Sequence, residues 1–108
     1  MATNLLTAER LQALAELYRQ GQESDLMDRT LEKLLHHEAE QSQAQLRELR
    51  ADLAEFEQRY HLPSDEFYRR YQAGDMGDQM DYVEWASLVQ MVDNLEKRLD
   101  LLWVSEPT

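Results

Sequence analysis

The sequence predicts an all-α fold: an elongated helical hairpin or bundle with one long central helix and antiparallel helices packed on both of its ends. Three observations carry that reading. The three glycines and two prolines all fall where periodic segments stop, at Gly21, Pro63, Gly74, Gly77 and in the tail at Pro107. Two apolar runs keep heptad spacing, Leu46, Leu49, Leu53, Phe56, Tyr60 and then Trp85, Leu88, Val92, Leu95, Leu99, Leu102. No stretch alternates apolar and polar residues between turns, as a half-buried strand would. At 108 residues the chain is read as one helical domain, 1–108.

The first helix (1–21, regular over about Ala8–Arg19) has Thr7 as its expected N-cap and Glu9 in the first turn. Leu11, Leu14, Leu17 and Tyr18 share a face, and Gly21 supplies the stop. The central helix (24–61) starts after Ser24 and meets no Gly or Pro before Pro63. Its length of ~54 Å follows from 1.5 Å per residue. Its middle, HHEAEQSQAQ, is thinly apolar, and the seam continues through it only as Ser42, Ala39 and Leu35. The short third helix (64–73) has Ser64 as expected N-cap and an aromatic face of Phe67, Tyr68 and Tyr71. The last helix (81–104) opens at Asp81, which has capping-box spacing to Glu84.

Between the two seams lies Tyr60–Leu88, which holds six of the nine aromatic residues. Phe56, Tyr60, Phe67, Tyr71 and Trp85 are expected to form one packed corner, because aromatics flanking a reversal offer large burial where three helices converge. A bundle only two helices thick leaves Leu26, Leu34, Val89, Met91 and Leu101 outside the seams. Such residues predict burial by association, as a coiled-coil-like homodimer or a hetero-complex on the same surface.

Eleven Lys+Arg stand against 22 Asp+Glu, a net charge of −11. The acid is spread along the chain rather than held in a tail. Direct nucleic-acid binding is not expected, because phosphate contacts need clustered Lys and Arg. The acidity reads either as a means of solubility or as a surface matched to a basic protein partner. The absence of cysteine removes disulfides, thiol catalysis and thiolate metal sites. No apolar run reaches the ~20 residues of a membrane span, and the N-terminus lacks the basic and apolar regions of a signal peptide. A cytoplasmic protein is expected.

Chemistry-bearing constellations are sparse. His36 pairs with Glu32 or Glu40 at four-residue spacing, but no Glu-x-x-His occurs, so no metal site is expected. Asp75, Asp78 and Asp81 recur every third residue, a spacing that does not match a calcium loop. They read as caps and turn residues, or as an acidic hook for Arg or Lys of a partner. Arg69 and Arg70 beside Tyr68 and Tyr71 read as local pairing with nearby acids. No Ser/His/Asp order, Gly-rich phosphate loop or CxxC is present. No cofactor and no enzymatic activity are expected. The candidate partner-binding residues are Leu26, Leu34, Met91, Asp75, Asp78 and Asp81.

The corner, read as Leu53, Phe56, Glu57, Tyr60, Ser64-x-Glu66-Phe67-Tyr68-Arg69-Arg70, Gly74-Asp75-x-Gly77-Asp78 and Asp81-x-x-Glu84-Trp85-Ala86-x-Leu88, resembles a family of small helical prokaryotic proteins rich in cyanobacterial members. They share EFYRRF-x-x-GE-x-GD-x-x-D-x-x-EWASL. Tyr71 stands here for their Phe, and Asp75 for their Glu. The resemblance covers about Leu46–Leu102. It implies an antitoxin-like component of a toxin–antitoxin pair, which binds and neutralises a basic protein toxin without catalysis. A structural or adaptor coiled coil without a toxin is the other function class.

Overall fold

The computed structural model describes residues 2–103, with side chains over 5–102. Among the described residues there are four helices and no strand: α1 (Ala2–Arg19), α2 (Asp25–Tyr60), α3 (Ser64–Gln72) and α4 (Met80–Trp103). The fold is all-α. Two compact units divide the chain, Met1–Leu34 and Leu35–Thr108, so that α2 contributes its opening turns to the first and the rest to the second.

In the first unit, α1 begins at Ala2 rather than near Ala8. Thr7 therefore lies within the helix and is not its cap. No Gly or Pro interrupts residues 2–20, and Ala and Leu there favour helix. The C-terminus closes in a Schellman motif, with Gly21 at φ 84°. Gln22 N donates to Leu17 O at 2.9 Å and Gly21 N to Tyr18 O at 3.0 Å. Ser24 caps α2, its Oγ accepting from Met27 N at 3.3 Å. The Tyr18 hydroxyl donates to Asp28 Oδ1 at 2.7 Å and accepts from Ser24 N at 3.2 Å, joining the end of α1 to the start of α2. No residue among 5–34 is buried.

The second unit holds the core. Ala39, Leu46, Val92 and Leu99 pack together, with Leu49, Leu53, Leu95 and Leu102 partly buried against them. These are the heptad positions of α2 and α4, which run antiparallel and bury their seams against each other within one chain. The thin middle of α2 is closed by a polar device. Arg98 donates Nε to the buried Ser42 Oγ at 3.1 Å and Nη2 to Glu38 Oε2 at 2.7 Å. Arg50 and Glu96 pair across the helices at 3.0 Å. Val89, expected to stay outside, is half-buried against the aromatic corner.

Two expected caps are corrected. Ser64 is the first residue of α3, and Pro63 precedes it as N-cap with no side-chain cap bond. The Ser64 hydroxyl is drawn away because it is buried and meets the Trp85 indole. The carboxylate of Glu57 in α2 caps α3 instead, accepting from Ser64 N at 2.8 Å. Asp81 lies inside the first turn of α4, whose first helical bond runs from Val83 N to Gln79 O. Its carboxylate faces α2 and takes up Tyr60 and Arg59. His61 is also outside α2: it follows the last residue in the left-handed region, φ 53°, and lets Leu62 N reach Glu57 O.

Candidate functional site: an acid-rimmed groove beside an aromatic corner

The corner positions the groove. Trp85 and Phe67 are fully buried, with Phe56 and Ala86 completing the centre. The Trp85 and Phe67 rings stack in parallel with centroids 3.9 Å apart. Phe56 stacks at 5.5 Å and Tyr60 at 5.7 Å from Trp85. Tyr71 tilts onto Phe67 at 5.6 Å. The five residues named from sequence thus sit in one cluster. The indole NH donates to Ser64 Oγ at 2.9 Å, so the polar end of the buried tryptophan is satisfied. Tyr82 joins the cluster between Tyr60 and Phe67.

At the edge of this cluster the Tyr60 hydroxyl donates to Asp81 Oδ2, and Arg59 Nη1 reaches the same oxygen at 3.0 Å. The Tyr60 hydroxyl bond, followed by Arg59, holds the Asp81 carboxyl below the usual carboxylate range, against an opposing effect of desolvation. The same bond pushes the Tyr60 phenol above its ordinary value. Asp81 is therefore engaged internally. On α3, bonds from Arg69 and then Arg70 hold Glu66 below its ordinary value, so both arginines are committed to a local acid.

A groove of about 230 Å³ opens between α2 and α4 beside the corner, lined by Asp52, Glu55, Phe56, Arg59, Glu84 and Leu88. A second, shallower one of about 380 Å³ is lined by Gln45, Glu48, Leu49, Met91, Asn94 and Leu95. Gln45, Glu48, Asp52, Glu55 and Arg59 recur every three or four residues, as do Glu84, Leu88, Met91 and Leu95. Each set therefore forms one stripe of its helix, and the two grooves follow one flank of the seam. Arg59 covers the Phe56 ring at 5.1 Å and pairs with Asp81 rather than with an acid of the groove. Among the described residues, Glu48, Asp52, Glu55 and Glu84 make no ion pair. The flank thus carries four uncompensated carboxylates along an apolar floor of Phe56, Leu88 and Leu95, with Met91 at its rim.

The sequence-named partner residues are dispersed by comparison. Leu26 and Leu34 lie exposed in the first unit; Met91, Asp75, Asp78 and Asp81 belong to the second. Asp75 and Asp78 are exposed around the Gly74–Gly77 turn. Asp52 and Glu55 escaped sequence reading, although each stands one residue before a seam position, Leu53 or Phe56, where flanking charges set partner choice. His36 Nε2 lies 3.0 Å from Glu40 Oε1, both side chains well exposed. No group of three or more His, Asp or Glu among the described residues is placed to hold a metal ion. No described helix is long and apolar enough to cross a membrane.

Comparison of the chain with protein-family models, curated proteins and solved structures finds no match.

Proposed function

We propose that this chain is a non-catalytic, antitoxin-type component that binds and neutralises a basic protein partner in the cytoplasm. The observation that carries the reading is the flank of α2 and α4. Among the described residues Glu48, Asp52, Glu55 and Glu84 make no ion pair, and Phe56, Leu88 and Leu95 line the two grooves beside them. An amphipathic helix with a basic face matches this pattern, its apolar side toward Leu88 and Met91 and its Lys or Arg toward the acids. Charge is distributed to suit it. Residues 35–108 carry seven Lys or Arg and sixteen Asp or Glu, a net −9, whereas residues 1–34 carry four and six, a net −2. The resemblance of the corner to the antitoxin-like family points the same way. Asp75 and Asp78 extend the acidic surface, and Asp81 supports it by fixing Tyr60 and Arg59.

A structural or adaptor coiled coil is the second reading, favoured by the exposed leucines of residues 5–34. Co-expression with the product of the neighbouring gene separates the two. The antitoxin reading expects a small basic neighbour that is toxic alone, co-purifies with this chain and is relieved by it. Asp52→Lys with Glu55→Lys should abolish relief while leaving the helical content unchanged. A neighbour that is harmless alone, or toxic but neither bound nor relieved, leaves the adaptor as the better account.

A further inference from the structure

Over residues 5–34 the first unit has a preset reversal and no interior. Its reversal is held by polar bonds: the Gly21 Schellman closure, the Ser24 cap and the Tyr18–Asp28 bond. Yet no residue among 5–34 is buried, and eight leucines there keep 36–74% of their surface exposed. Leu6, Leu11, Leu14 and Leu17 on α1, with Leu31 and Leu34 on α2, make up most of this surface. The exposed leucine area is several hundred Å², the order of the ~800 Å² per partner found in a standard interface. Here the two helices of the hairpin bury no residue among 5–34, whereas four helices surround a core, and pairing two such hairpins is the simplest way to reach four.

We infer that residues 5–34 are a self-association module, in which the α1–α2 hairpin of one chain packs its leucines against the same face of a second copy. Charge permits this occupant. The unit carries only −2, so two copies meet with little repulsion, whereas the −9 of the remainder draws a basic partner to the other unit. An isologous contact also needs no second gene product, because one apolar patch serves both sides. The inference is independent of the basic-partner reading, which concerns the α2–α4 flank and the acids around the Gly74–Gly77 turn.

The test is sedimentation equilibrium of the full chain, by itself, against the 12.8 kDa monomer mass. The expected result is a dimer with Kd at or below ~10 µM, within the range such interfaces reach. Leu14→Glu with Leu17→Glu should weaken it by at least ~100-fold, since two apolar anchors become charged. Both positions are exposed in the monomer and Glu is a good helix former, so helicity and Trp85 emission should be unchanged. Met91→Glu, on the other unit, should leave the dimer intact. Because the chain has no cysteine, Leu14→Cys should give a disulfide-linked dimer under mild oxidation, while Leu101→Cys should not. A wild-type chain that stays monomeric overturns the inference. So does a dimer that survives Leu14→Glu/Leu17→Glu or is lost in Met91→Glu.

Discussion

Trp85 concentrates the cost of change at the residue scale. It has no exposed surface, three aromatic neighbours in stacked contact and a satisfied indole NH. Trp85→Ala should cost roughly 3–5 kcal/mol in chemical denaturation. Ser64→Ala removes only a hydroxyl, yet it strands the buried NH and should cost about 1–3 kcal/mol. A loss under about 0.5 kcal/mol would mean that water replaces the hydroxyl. The opposite sign is expected at His61, which holds φ 53° without being glycine. His61→Gly should raise stability by several tenths of a kcal/mol, because relief of left-handed strain exceeds the added chain entropy. Gly74→Ala, at φ 83° with open space around its Cβ position, should cost ~1–2 kcal/mol from backbone strain alone. The glycines were legible as stops because their chemistry is unique. His61 was not, because nothing in its side chain announces a positive φ.

Among elements, the seams were the most legible feature and the caps the least. Heptad spacing names the buried residues of α2 and, Ala86 apart, of α4, since period and packing geometry are the same fact. Ser64 and Asp81 have the right chemistry for caps, but tertiary partners claimed them: a buried indole for one, Tyr60 and Arg59 for the other. Sequence spacing cannot weigh a cap against a partner that arrives from another helix. The Asp81 clamp between α2 and α4 makes a pH dependence. Its carboxyl lies below the ordinary range, so its contribution is present above the unfolded value near 3.9 and is lost as pH falls through the folded one. Glu66 acts in the same sense within α3. Melting temperature should therefore drop as pH is lowered from about 5 toward 3, and Asp81→Asn should flatten that limb. The Tyr60 phenol is raised, so its contribution holds below about pH 10 and fades as pH climbs through the raised value. Identical acid limbs in wild type and Asp81→Asn would remove the clamp from the account.

For the whole molecule, stability and charge are both unevenly shared. Among the described residues, every buried apolar side chain lies in residues 35–108. Hydrogen exchange of the monomeric Leu14→Glu/Leu17→Glu variant should show weak protection over residues 5–24 and strong protection over Leu46–Phe56 and Trp85–Leu99. Uniform protection would mean that the first unit is stabilised by something other than burial. The acidic flank predicts that association with a basic partner slows steeply with salt, chiefly through the on-rate. Replacing Glu84 with Gln should reduce that salt dependence, a change readable by stopped flow. Total charge was readable from composition, but its alignment along one groove needed the antiparallel register, which brings Glu84 beside Asp52 and Glu55.

The register also sets a schedule during synthesis. Ser42 and its partner Arg98 are 56 residues apart in the chain. At ~5–20 residues per second, the ribosome leaves the seam of α2 uncovered for roughly 3–11 s after it is made. The α1–α2 reversal, by contrast, closes over only 10 residues, from Tyr18 to Asp28. The leucine-faced hairpin of each nascent chain is therefore made while its own core still waits for α4.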